Sequence, residues 1–322
     1  MKAPYVAIAW LFLAFALLPL SAQESGGPRL EFVEYTTEND YYFLRLPSDR
    51  YYTAGQSIRL NDQSLDKGRL SPASLFPLRF VNRQAENLSQ LCLRYQLFTP
   101  FRIHWNTPEQ IDRPYTARLD LQFENQTFLP ENGLKLYKSL LLGFQGPSMR
   151  GENIQNGVHR LKGRPLAQGW EYQLADRPYW VVQFQAEKAI STGAKHLWLA
   201  SPQIYLGNVQ QYVQMGMHYK NGDLAGYFRP NQSMPSIHWH TYFHFSARYV
   251  HRNQLLNGTM RPNSDIKSFQ PPHTKKLVYL ASYGIQFTWK RWAIRLSQEA
   301  MSPEFEGGSS HFWGSISLRK YY

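Results

Sequence analysis

Cysteine is nearly missing: Cys92 is the only one in 322 residues, so no intrachain disulfide can staple the fold. Long apolar runs stop after the first 18 residues, and no transmembrane helix is expected beyond them. Acidic residues are few. The chain has 23 Asp and Glu against 35 Lys and Arg, and the formal net charge of +12 asks for an anionic partner. No linker, low-complexity tract or internal repeat divides the sequence, so the roughly 300 residues after the first segment read as one large domain. A Gly-x-Ser-x-Gly elbow is absent as well, which disfavours a serine nucleophile. Stability therefore has to come from packing, strand pairing or a membrane.

The first 22 residues read as an export signal. Lys2 gives a positive start, Val6–Leu18 is apolar, and Pro19–Ala22 ends in small residues suited to cleavage before Gln23. The same run is nearly long enough for a membrane anchor, but the Pro19 break and the small-residue end favour processing. Residues 1–22 are thus expected to be a signal peptide and 23–322 the folded domain. Export argues against nucleic acid as the anionic partner and for a phosphorylated lipid or an anionic membrane surface.

Aromatic residues make up 15% of the chain, with 9 Trp, 21 Tyr and 19 Phe. Mean hydropathy is −0.48, a value that suits a soluble protein but also a transmembrane β-barrel, where lipid-facing and lumen-facing residues alternate. Period-2 alternation is clear in Thr116–Glu124, with Ala117, Leu119, Leu121 and Phe123 set against Arg118, Asp120, Gln122 and Glu124. It recurs in Thr241–Val250, Trp180–Ala186, Ile285–Trp289 and Trp292–Leu296. A β-sandwich would give the same signal. The last segment, His311–Tyr322, is amphipathic and closes on an aromatic, which is similar to the terminal strand of bacterial outer-membrane barrels. The fold class expected is all-β, an antiparallel transmembrane barrel with aromatic girdles. Ser201–Gly207 and Asn263–Thr274, with Pro and Gly or polar residues, are expected to be turns or surface excursions.

Four polar clusters interrupt the strands. They are Glu38-Asn39-Asp40; Ser48 to Gly55, which includes Thr53; Thr99-Pro100 with Asp112-Arg113-Pro114-Tyr115; and Gly146-Pro147-Ser148 followed by Gln155, His159 and Gly169-Trp170. Turn chemistry alone explains any one of them, since Asn, Asp and Pro are common turn residues. Gln155 and His159 are four apart after a Gly-Pro turn, so in a short helix they share a face. A histidine so placed suits a hydrolase's general base.

Taken in order, END, DRYYTAG, YQLFTP, DRPYTA, GPSMRGENIQNGVHRL and GWEYQ resemble the outer-membrane lipid A 3′-O-deacylase family. Arg248–Met260 resembles its second half, so the likeness covers nearly the whole mature chain. The resemblance implies twelve strands and an active site toward the outer leaflet, between the barrel wall and a loop helix. It implies calcium-dependent hydrolysis of the ester holding the 3′ acyl chain of lipid A in lipopolysaccharide. Carried over, the catalytic His is His159, its neighbour Gln is Gln155, the paired Asn and Asp are Asn39 and Asp40, and the Thr is Thr53.

The chemistry agrees with those roles. Ester hydrolysis needs a base for water, which neutral imidazole supplies, and positive groups where the oxyanion forms. Oxygen ligands such as Asp40 could hold a hard cation there. Two positions depart from the family pattern. Pro165 stands where a Glu tied to the calcium site is expected, six residues after the His, so calcium would need Glu152 or Glu171 instead. The cation expected after Thr99-Pro100 is unmatched; Arg102 is the nearest, and Trp105 stands near the expected place. His238, His240 and His244 sit at strand period and are expected to line the lumen as structural groups, not to bind metal. Two other readings stay open: a non-catalytic barrel binding lipid or small solutes, and a secreted β-sandwich binding anionic glycans. Oligomeric state is not encoded in these patterns.

Overall fold

Twelve antiparallel strands close into a single barrel in this computed structural model, which describes residues 30–42, 50–62, 65, 85–107, 109–230, 237–258 and 273–322. The expected signal peptide, residues 1–22, lies outside the described residues, as do Ser48, Asp49 and most of Asn263–Thr274. The strands are β1 (Leu30–Asn39), β2 (Tyr51–Asp62), β3 (Glu86–Thr99), β4 (Thr116–Leu129), β5 (Leu134–Gln145) and β6 (Arg177–Thr192). They continue as β7 (His196–Gly207), β8 (Gln210–Gly222), β9 (Ile237–Asn253), β10 (Leu277–Trp289), β11 (Trp292–Met301) and β12 (His311–Tyr321). Each pairs with its neighbours in sequence, and β12 closes on β1 in a register that sets Thr36 opposite Ser317. Closure removes the unpaired edges that a sandwich would have to protect.

Alternation decides which residues meet lipid. In β4, Leu119 and Leu121 are exposed while Arg118, Asp120 and Glu124 are buried inside. Phe243, Phe245 and Tyr249 of β9 also point outward and are exposed. A water-soluble sandwich would do the reverse. The lumen is filled by ion pairs: Glu34 takes Arg59 at 2.9 Å and Arg319 at 2.8 Å, Arg59 reaches Glu124 at 3.1 Å, and Arg94 reaches Asp120 at 3.3 Å. This explains how charged residues recur within strands that cross a membrane. His238, His240 and His244 share the even, inward register of β9, and His244 stacks on His218 with ring centroids 4.0 Å apart.

One expectation fails here. Ser201–Gly207 is neither a turn nor a surface excursion; it is the second half of β7. Pro202 faces Met215 of β8, and on its other side the β6–β7 ladder skips from Gln185–Gln203 to Lys188–Ala200. A proline without an N–H is tolerated where no ladder bond is demanded of it.

The longer connections at the end opposite both termini carry the site. Between β5 and β6 runs an 11-residue helix, α1 (Gly151–Leu161). It begins after a sharp reversal at Gly146, whose φ of +114° and close approach to Asp176 N (2.5 Å from a built Cβ) exclude any side chain. α1 lies outside the barrel wall. Its first residue rests on Ala117, which is on the outward register of β4, and on Trp170. The Tyr95 hydroxyl of β3 donates to Met149 O at 2.9 Å, just before the helix. Leu97, Ile111, Tyr115, Ala117, Ala167 and Trp170 form the apolar layer between helix, loop and wall.

Candidate active site

The spacing that places Gln155 and His159 on one face also buries them, together with Gly151, against the barrel. Opposite them stands the outward face of the wall. A cavity of about 370 Å³ lies between, lined by Asn39 and Tyr35 of β1, Thr53 and Gln56 of β2, Tyr95 and Leu97 of β3, and Ile154, Val158, Gln155 and His159 of α1. Residues more than a hundred positions apart thus meet in one cleft. Asp40 does not line it; it is fully buried beside it, with Oδ2 accepting the Arg50 N–H at 2.9 Å.

Each cavity side chain is held. Asn39 donates through Nδ2 to Thr53 O at 3.0 Å and accepts the Tyr41 N–H at 2.9 Å, which ties β1 to β2 at the rim. Thr53 sits at a bulge, where pairing with β3 shifts between Tyr52 and Ala54, and its hydroxyl meets that of Thr99 at 2.7 Å. A bulge re-aims one side chain, and here it turns Thr53 toward the cleft. Gln155 accepts the indole N–H of Trp170 at 2.9 Å. Trp170 itself packs on Tyr115, centroids 4.8 Å apart. His159 Nδ1 meets the carbonyl oxygen of Pro165 at 2.5 Å. A carbonyl only accepts, so this contact fixes the proton on Nδ1 and makes Nε2 the basic nitrogen.

Pro165, the departure that stood out in the sequence, thus has a role through its backbone. The chain reaches it through a left-handed Gly163 (φ +63°), with the Gly163 N–H donating to Arg160 O at 3.3 Å and the Arg164 N–H to His159 O at 2.9 Å. That cap carries Lys162 and Arg164 to the cavity lining, which sequence reasoning missed. The only local cue was Gly followed by Pro two residues later, past the helix end.

Other residues singled out in the polar clusters fall elsewhere. Glu38 points into the lumen, where it accepts the Tyr52 hydroxyl. Asp112 accepts the Phe101 N–H at 2.9 Å and the Tyr51 hydroxyl at 3.0 Å, and burial pushes its carboxyl up from the ordinary value against those two donors. Arg113 pairs with Glu304 at 3.2 Å. Tyr115 supports Trp170, so the Asp112–Tyr115 cluster is scaffolding behind the site. Arg102 lies over the Phe101 ring, 5.9 Å from its centroid, and does not line the cavity. Trp105 packs against the apolar layer under the loop.

The donor set does not fit calcium. A hard divalent cation takes six to eight oxygens, carboxylates among them. Among the described residues no Asp or Glu lines the cavity, whereas Lys162 and Arg164 do. Glu152 and Glu171, the candidate replacements, are exposed and line no part of it. Among the described residues no group of three or more His, Cys, Asp or Glu side chains converges on a metal position.

A solved structure shares this architecture. The solved structure of LpxR from Salmonella typhimurium superposes with a TM-score of 0.73 at 18% identity, covering 90% of this chain and 100% of that one. The β-domain of the Bordetella autotransporter BrkA follows at a TM-score of 0.47 and 8% identity, covering 93% and 99%. No match emerges among curated protein sequences. The family model described as outer membrane protein LpxR matches residues 8–322. Nearly the whole chain is covered, and this integral outer-membrane barrel therefore belongs to the LpxR family.

Proposed function

We propose that this barrel is a lipid A deacylase, hydrolysing the ester that holds the 3′ acyl chain, with His159 as general base. The observation that carries the reading is where the cavity lies. It is on the outer wall, bounded by β1–β3 and α1, so an acyl chain enters from the bilayer without crossing the lumen. Leu97, Ile154 and Val158 give that chain an apolar path, while Asn39, Thr53, Gln155 and His159 gather the polar groups. In bacterial barrels the termini lie on the periplasmic side, so the end bearing α1 faces the outer leaflet, where lipid A resides.

The step runs as follows. Water attacks the acyl carbonyl carbon and gives its proton to His159 Nε2. The Nδ1–H stays on the Pro165 carbonyl, which steadies the ring and the imidazolium. Gln155, its Oε1 occupied by the Trp170 N–H, turns its amide NH₂ toward the carbonyl oxygen as negative charge develops there. Thr53 and Asn39 position water and the sugar from the wall side. Collapse breaks the C–O bond to the sugar, and the leaving oxygen takes the proton back from His159. The products are a free fatty acid and a sugar hydroxyl.

Residues 1–22 act as the export signal in this reading; sequencing of the membrane-inserted protein should begin at Gln23, and a retained Met1 would make the segment an anchor. Reaction in ¹⁸O-water tests the chemistry. The label should enter the released fatty acid and not the sugar. Label in the sugar, or full release by His159→Ala, would rule out this mechanism.

A further inference from the structure

We propose that Lys162 and Arg164 are the fixed positive charge of this cavity, binding the phosphate of a lipid headgroup in a site that uses no divalent cation. The proposal rests on the deacylase reading for its lipid but not for its chemistry, which follows from the cavity alone.

Three observations carry it. First, the two cations line the cleft and, among the described residues, no carboxylate does, so the field at its lining favours anions. Second, both are placed by a built element. Lys162 donates its backbone N–H to Val158 O and His159 O at 3.0 and 3.1 Å, and Arg164 to His159 O at 2.9 Å, with the left-handed Gly163 between them. Third, the Arg164 guanidinium lies over Tyr41, with Cζ 4.0 Å from the ring centroid, and Tyr41 follows Asp40 at the rim of β1. A guanidinium stacked on a ring keeps its N–H edge for a ligand, in the fork geometry that matches phosphate.

The arrangement also accounts for amphiphile selection. Tyr35, Leu97, Ile154 and Val158 offer apolar surface in the same cleft whose rim is cationic. A ligand that satisfies both has an acyl chain and a phosphate on one headgroup. Inorganic phosphate would meet only the rim.

Binding can be read without turnover by using the His159→Ala chain folded in detergent micelles, with phosphorylated lipid A quenching the tryptophan fluorescence. Adding the pair K162Q and R164Q should weaken binding of phosphorylated lipid A about tenfold or more and leave dephosphorylated lipid A unchanged. Arg164→Lys should recover part of the loss, as a point charge replaces the fork. Inorganic phosphate at matched concentration should fail to displace the lipid; displacement would make this a free-anion site and overturn the headgroup assignment. Calcium titrated into the same protein should give no saturable change, and a chelator should leave wild-type hydrolysis at its full rate. Saturable calcium binding, activity lost to chelator and restored by calcium, or equal weakening for both lipids would overturn the proposal. Phosphate-dependent binding with no hydrolysis by the wild type would instead sink the deacylase reading and leave this one standing.

Discussion

Gly151→Ala sets two opposed effects against each other at the first residue of α1. Helix propensity alone favours alanine by roughly 0.5–1 kcal/mol, and Gly151 has ordinary helical backbone, so no conformational strain enters. Packing says the reverse. A Cβ built there falls 2.6 Å from Trp170 Cζ3 and 2.8 Å from Ala117 Cβ, inside any normal contact. Trp170 has no room to retreat: it is 2% exposed, bonded to Gln155 and packed on Tyr115. The helix must lift from the wall instead. Overpacking of this kind costs about 1–3 kcal/mol, which outweighs the propensity gain. His159 is eight residues further along, about 12 Å at ~1.5 Å per residue, and it moves with the helix. A displacement near 1 Å at a reacting group lowers rate by about 10²-fold. The barrel should be spared, because α1 docks outside it. We therefore expect fatty-acid release from lipid A to fall by about two orders of magnitude while heat-modifiable gel migration stays normal. Undiminished release by the alanine variant would refute the docking geometry.

Three further outcomes follow from separate parts of the molecule. Gly163→Ala meets no neighbour within 4 Å, so its penalty is the left-handed backbone alone, about 1–2 kcal/mol; loosening that cap should reduce affinity for phosphorylated lipid A and lower kcat together. Glu34→Gln leaves Arg319 without its buried anion and Arg59 with Glu124 alone, at about 3–5 kcal/mol; the folded gel band should disappear at a lower temperature, with activity on lipid A unchanged well below that point. Trp170→Phe keeps the ring stack on Tyr115 but removes the donor to Gln155, so hydrolysis should drop about tenfold or more with little change in lipid binding, as titration of lipid quenching would report.

The barrel was legible because its strands obey a local rule. Leu119 and Leu121 against Arg118 and Asp120 is a pattern any strand with two different environments must carry, and the folded chain separates them as expected. Ser201–Gly207 was misread because Pro202 signals a turn locally, while the pairing that tolerates it depends on β6. Gln155 and His159 were legible from helical spacing. Their partners Asn39 and Thr53 came from the family resemblance and not from spacing, since they reach the helix only once β1–β3 and the long β5–β6 connection have folded together. Asp112–Tyr115 carried the same kind of polar signal as the site and proved to brace it from behind. Lys162 and Arg164 gave almost no signal. Two cations past a helix end are commonplace, and only the left-handed Gly163 turns them into the cleft.

Lipid A mass spectrometry tests the central claim most directly, comparing bacteria that express the wild-type barrel with bacteria that express His159→Ala, both inserted and heat-modifiable. The wild type should convert lipid A to a species lighter by one ester-linked acyl chain, the one at the 3′ position, and the variant should leave it intact. Identical lipid A in the two strains, with the wild-type barrel properly inserted, would contradict the account.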